Sequence, residues 1–190
     1  MTFLNKSLSP IVLLISICAL PVSAADIKAG EQKAPMCFGC HGQNGNSSNA
    51  QWPSLAGQQE TYLVNQLKAF KSGERKNTMM QSMAANLSDD DINNLAAYFS
   101  SQKMASAGGD PTLAQSGKEK AGMCFGCHGT SAEGKGQFPR LAGQHPDYLV
   151  AQLKSFKEGS RISGPMQAVT ASLAEEDYSA LAAYFGSLKN

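Results

Sequence analysis

The stretch MCFGCHG, Met36 to Gly42, stands again as MCFGCHG at Met123 to Gly129, an offset of 87 residues. Outward from it, YLVNQLKAFKSG at Tyr62 to Gly73 returns as YLVAQLKSFKEG at Tyr148 to Gly159, now at an offset of 86. Self-similarity over this length marks a tandem duplication. The offset changes by one because His41 to Pro53 spans 12 positions and His128 to Pro139 spans 11, so that segment is a loop that tolerates a deletion. Further out the offset of 86 persists in Leu95-Ala96-Ala97-Tyr98-Phe99 and Leu181-Ala182-Ala183-Tyr184-Phe185.

Each copy carries helical periodicity. Ile92, Leu95, Ala96 and Phe99 fall at i, i+3, i+4 and i+7, and Ser88 with Asp91 has the spacing of a capping box. Leu63, Gln66, Leu67 and Phe70 predict a second helix that stops at Gly73, and Pro146 suits the first turn of its counterpart, where a missing amide hydrogen is harmless. A third helix is expected to lead into each Cys-containing motif. No run alternates long enough to predict a strand, so the expected class is all-α, in two domains. Ala-Ser-Ala-Gly-Gly-Asp-Pro, residues 105–111, has the composition of a connection. The expected division is 25–103 for the first domain, 104–111 for the linker and 112–190 for the second.

The 190 residues, with 16 Lys plus Arg against 15 Asp plus Glu and 42% hydrophobic, exclude a large multidomain machine and provide no basic footprint for nucleic acid. Residues 1–24 read as a cleavable export signal. Lys6 is the positive region, Ile11 to Leu20 the apolar run, and Val22-Ser23-Ala24 the small-residue cleavage site. An uncleaved anchor is the competing reading, but the run falls short of the roughly 20 residues that span a bilayer. Cys18 is expected to leave with the signal, since Ile15-Ser16-Ile17 puts a bulky residue where a lipid-attachment signal needs a small one. Removing Lys6 leaves a formally neutral chain, with 7 positive and 7 negative side chains in residues 25–103 and 8 of each in 104–190.

The remaining four cysteines all lie in Cys37-Phe38-Gly39-Cys40-His41 and Cys124-Phe125-Gly126-Cys127-His128. Cys-x-x-Cys-His is the signature of c-type haem attachment, in which two thiols add to the haem vinyl groups and the adjoining histidine reaches the iron. The competing readings fit less well. A thioredoxin-like pair needs a strand-rich context, while a zinc site or structural disulfides leave both histidines idle. Two covalently bound haems c are therefore expected, with His41 and His128 as axial ligands.

For the sixth position, His145 is replaced by Gln59 in the other copy and reads as a surface residue near a helix start. Of Met79, Met80 and Met83, only Met80 maps onto a methionine, Met166, while Met79 meets Pro165 and Met83 meets Val169. Met80 and Met166 are the expected distal ligands, and Met79 and Met83 the expected core methionines. Met36 and Met123 precede an attached cysteine on the proximal side, and Met104 lies by the linker without a counterpart. Thioether ligation raises the reduction potential and closes the iron, which indicates electron transfer rather than catalysis. The carbonyls of Pro53 and Pro139 are candidates to accept the second imidazole hydrogen, with a simple loop proline as the alternative.

The export signal, the two Cys-x-x-Cys-His motifs, the Pro-x-Leu-Ala-Gly-Gln segments, the Met80 to Asp89 pattern and the Leu-Ala-Ala-Tyr-Phe helices together resemble the dihaem cytochrome c4 family. The resemblance covers essentially the whole chain after the signal. It implies two class I cytochrome c domains related by a pseudo-twofold axis, with haem propionates meeting near the interface. It also implies electron delivery in the periplasm from a respiratory donor complex to a membrane-bound haem-copper terminal oxidase. No nucleic acid and no transmembrane segment are expected, and adherence to the membrane surface is left open. Two alternatives remain: a dihaem redox enzyme of the peroxidase or thiosulfate dehydrogenase type, with one labile haem, and a haem-bearing subunit tethered to an oxidase.

Overall fold

The computed structural model describes residues 24–189, so the signal expected over residues 1–24, Cys18 included, falls outside the described residues except for Ala24. Each copy of the repeat forms five α-helices and one 3-10 turn, Gln43–Gly45 in the first and Ala121–Cys124 in the second. The first half contains α1 (Ile27–Lys33), α2 (Pro35–His41), α3 (Glu60–Ser72), α4 (Thr78–Ala84) and α5 (Asp89–Ser101). The second contains α6 (Pro111–Lys120), α7 (Phe125–His128), α8 (Pro146–Lys157), α9 (Gly164–Ala171) and α10 (Glu175–Ser187). Among the described residues there is no strand, only one isolated bridge between Lys135 and Phe138.

The helix limits follow local chemistry. Ser88 Oγ accepts the Asp91 amide while the Asp91 carboxylate accepts the Ser88 amide, so two otherwise orphaned donors start α5. In the second half Ala174 has no side-chain oxygen, and only the return bond from its amide to Asp177 Oδ2 is made. α3 stops where Gly73 turns left-handed at φ 78°, and Pro146 occupies the first turn of α8.

The terminal helices of each half cross closely, α1 on α5 and α6 on α10, and α3 and α8 complete the two cores. The close crossing depends on Gly30 and Gly117. A Cβ on Gly30 would come within 2.1 Å of the Asn94 carbonyl, and one on Gly117 within 2.0 Å of the Ala180 carbonyl. The apolar stripe foreseen for α5 is the centre of its core, with Ile92, Leu95, Ala96 and Phe99 all buried. Leu181, Ala182 and Phe185 do the same in the second half.

Principal helix packing lies within each half, and the halves meet through loops and polar side chains. The irregular connection is pinned to both. Asn46 bonds Lys103 O and the Ala105 amide, while the Ala107 and Gly108 amides bond Gly143 O and Gly186 O.

Candidate haem sites and the cavity they share

The Cys-x-x-Cys-His motifs lie at equivalent places in the two halves. His41 ends α2 and His128 ends α7, each at a left-turning glycine, Gly42 or Gly129, that redirects the chain toward the proline loop. Both imidazoles are buried, 9% and 5% exposed. His41 Nδ1 lies 2.8 Å from Pro53 O and His128 Nδ1 lies 2.8 Å from Pro139 O. A carbonyl can only accept, so Nδ1 carries the proton in both rings and the Nε2 lone pair is left for a metal. Burial disfavours the imidazolium and lowers both histidines below their ordinary value, against the opposing pull of the proline carbonyl. Such a neutral, orientation-fixed imidazole is a competent iron ligand.

Among the described residues Cys37, Cys40, Cys124 and Cys127 form no disulfide. Burial pushes Cys37 up to about 11, with Cys40 adding to the shift, and burial likewise raises Cys124. Among the described residues no three of His, Cys, Asp and Glu gather to cage a bare ion, so the two cysteine pairs are not brought together. The motifs, with Met80 and Met166, instead line one continuous cavity of about 1370 Å³. That exceeds the roughly 300–1,000 Å³ of a single-ligand pocket and spans both halves.

Met80 packs against the first core, on the same face of α4 as buried Ala84. Met79 and Met83, expected in the core, are instead 54% and 36% exposed along the cavity wall. The reason is helical phase. α4 has one inward face, occupied by positions 80 and 84, and positions 79 and 83 form the adjacent stripe. His145 stands at the start of α8, as expected, without a side-chain capping bond, and its Nε2–H donates to Ser47 O of the other half at 2.9 Å, so it bridges the halves.

Sequence reasoning missed the residues that join the two sites. Arg75 donates to Gln66 of its own half at 2.7 Å and to Tyr148 and Gln152 of the other at 3.1 and 2.9 Å. Arg161 repeats this with Gln152 at 2.7 Å and with Tyr62 and Gln66 at 2.9 and 3.0 Å. Each guanidinium also stacks 4.6 Å from a phenylalanine ring of its own half, Phe70 or Phe156. Both are half-buried on the cavity wall, and neither has a carboxylate within ion-pair distance among the described residues. Burial opposes ionisation of Tyr148, yet the two guanidiniums override it and draw the phenol below its ordinary value. Two partly desolvated cations with neutral partners suit a ligand that brings its own carboxylates.

A second symmetric set lies beside the prolines. Gln144 Oε1 accepts the Ser54 amide and Gln144 Nε2 donates to Ser54 O, both at 2.9 Å. Gln58 Oε1 accepts the Arg140 amide at 2.7 Å and Gln58 Nε2 donates to Arg140 O at 3.1 Å. All four residues of these pairs keep their identity or their place through the repeat, Gln58 with Gln144 and Ser54 with Arg140, at the offset of 86. Polar side chains repeated outside the Cys motif were the available signal.

Comparison with known proteins places this geometry. The cytochrome c family model matches twice, over residues 27–103 and 114–189. Cytochrome c4 of Pseudomonas aeruginosa is 39% identical, with 97% of this chain and 100% of that protein covered. The crystal structure of reduced recombinant cytochrome c4 from Pseudomonas stutzeri superposes with a TM-score of 0.82 at 39% identity, covering 87% of this chain and 100% of that one. A more distant relative, a thiosulfate dehydrogenase electron acceptor of Thiomonas intermedia, is 38% identical over 78% of this chain and 73% of its own length.

Proposed function

Since the chain belongs to the cytochrome c4 family, we propose that it is a periplasmic dihaem electron carrier, with one haem c held in each half. Cys37 and Cys40 tether the first haem and Cys124 and Cys127 the second. His41 and Met80 would hold the iron of the first haem, and His128 and Met166 that of the second. The observation that carries the reading is the repeated buried histidine whose Nδ1–H is committed to a proline carbonyl at 2.8 Å, on a cavity that both halves share.

When bound, each haem supplies one-electron exchange at iron. The chain's own groups set the conditions for it. Pro53 and Pro139 fix the imidazole rings, which favours a constant ligand field in both oxidation states. Arg75 and Arg161 would provide positive charge for the haem carboxylates, and Leu95, Phe99, Leu181 and Phe185 contribute apolar wall to the cavity. The reading requires no acid or base to act on a substrate bond, which distinguishes a carrier from a dihaem peroxidase or dehydrogenase.

The physiological route proposed is from a respiratory donor complex to a membrane-bound haem-copper terminal oxidase. No helix among the described residues is long and apolar enough to cross a membrane, which is compatible with a carrier that meets membrane complexes from the aqueous side. A second donor has specific support. The Thiomonas intermedia relative is named for accepting electrons from thiosulfate dehydrogenase, so a thiosulfate-oxidising donor is the second reading.

The deciding experiment is the optical spectrum of the ferric holoprotein, with the methionine-sulfur-to-iron charge-transfer band quantified per haem, followed by carbon monoxide added to the reduced form. A full band for both haems and no carbon monoxide binding is expected. A half-strength band with carbon monoxide at one haem would replace the carrier with a dihaem enzyme. Cyanide-sensitive oxygen uptake by washed membranes, supported by the reduced protein, tests the oxidase route.

A further inference from the structure

The Pro53–Ser54 peptide group is bonded at both ends. Its carbonyl oxygen accepts His41 Nδ1–H at 2.8 Å, and the amide hydrogen of the same group, on Ser54, donates to Gln144 Oε1 of the other half at 2.9 Å. The Pro139–Arg140 group mirrors it, with His128 Nδ1–H at 2.8 Å on one side and Gln58 Oε1 of the first half at 2.7 Å on the other. Both glutamines are buried, 4% and 2% exposed for Gln58 and Gln144, as is Ser54. Each Oε1 also accepts one backbone amide of its own half, Gln59 or His145, which fixes the side-chain amide so that its oxygen faces the partner peptide.

We propose that Gln144 and Gln58 are positioning residues that tune, across the interface, the iron ligand of the opposite half. The inference rests on the histidine ligation proposed above. An amide is a resonance unit, so a donor bond from its N–H shifts electron density onto its oxygen and makes that oxygen a stronger acceptor. A stronger acceptor at Nδ1–H gives the imidazole more imidazolate character, and a more basic ligand stabilises ferric over ferrous iron. Each half thereby lowers the reduction potential of the haem in the other. Docking of the halves is itself a redox determinant, delivered by two hydrogen-bonded chains of three groups each.

The direction of the effect is specific. Gln144→Met keeps the side-chain length and removes both polar atoms. In the holoprotein it raises the potential of the N-terminal haem and leaves the C-terminal haem unmoved, although the substitution lies in the C-terminal half. Gln58→Met does the reverse. With chain cooperativity worth 10–30% of a bond, a change of about twofold in the reduction equilibrium is expected, about 18 mV for one electron.

Redox titrations followed by NMR, with each haem reported by its own axial-methionine methyl resonance, read the two potentials separately. In the reduced protein the His41 Nδ1–H resonance of the Gln144→Met variant moves upfield and that of His128 stays. Equal shifts of both haems, or no shift with an unchanged His41 Nδ1–H, would reduce the glutamines to interface struts and overturn the proposal. Should Gln144→Met not fold, Gln144→Glu keeps an oxygen on the Ser54 amide. It lowers the N-terminal potential more than the C-terminal one, and a uniform fall or a rise contradicts the inference. A wild-type holoprotein without two histidine–methionine haems would instead fail the ligation reading, before any variant is made.

Discussion

At the scale of single residues, the axial methionines carry the sharpest expectation. Replacing Met80 or Met166 by Ala removes the thioether, lowers that haem's potential and opens it to carbon monoxide, while the other haem keeps its charge-transfer band. Spectroelectrochemistry with a carbon monoxide difference spectrum checks this; a Met80 variant that stays closed would move that assignment to Met79 or Met83, and a Met166 variant that stays closed would remove methionine from the second site. A pH expectation belongs to Asp91. Its hydrogen bond with Lys33, 2.6 Å away, and then its bond with the Ser88 amide lower its carboxyl to about 2, from 3.8. A depressed carboxyl contributes stability that is complete above 3.8 and lost as the pH falls toward 2. Asp91→Asn is therefore less stable than wild type at pH 6, by about 1 kcal/mol as for other caps. The gap closes as urea unfolding is repeated toward pH 2.

Among the elements, α5 and α10 form a natural comparison, since they share the offset of 86 but not the cap. Ser88 closes both bonds of its box, whereas Ala174 leaves the Asp177 amide without a side-chain acceptor on residue 174. Ala174→Ser is expected to stabilise the second half by about 1 kcal/mol, read as a higher unfolding midpoint. This difference was legible in the sequence, because a cap depends on residues three apart. The crossing of α1 on α5 was not legible. Gly30 looks like a poor helix residue until Asn94 of α5 is placed 2.1 Å from where its Cβ would stand. The connection expected over residues 104–111 is a related case. Its composition suggests a linker but says nothing of how its amides are tied to Asn46, Gly143 and Gly186.

For the whole molecule, the join between halves is polar and symmetric. Arg75 and Arg161 each hold a glutamine of their own half and a tyrosine and glutamine of the other, so the two clusters are one network. Replacing both arginines by Met removes every one of those bonds while preserving bulk over Phe70 and Phe156. The halves should then unfold less cooperatively, and the calorimetric enthalpy should exceed the van 't Hoff enthalpy by a factor rising toward two. A double variant with an unchanged ratio would show that the loop contacts, Gln58 and Gln144 among them, suffice to couple the halves.

The sequence by itself determined the two all-helical units and the paired Cys-x-x-Cys-His motifs, and it supplied the expectation of Met80 rather than its neighbours. Periodicity, caps and motif spacing are local, and the duplication supplied an internal comparison for everything that was not. It could not determine how the two copies face each other. Gln58, Gln144, Arg75 and Arg161 lie in loops or near helix ends where no period constrains them, and their partners in the other half are more than 70 residues away. Only the tertiary structure brings the peptide group behind one half's histidine onto a glutamine of the other. That contact is fixed by the docking of two folded surfaces, and no local stretch of the chain specifies it.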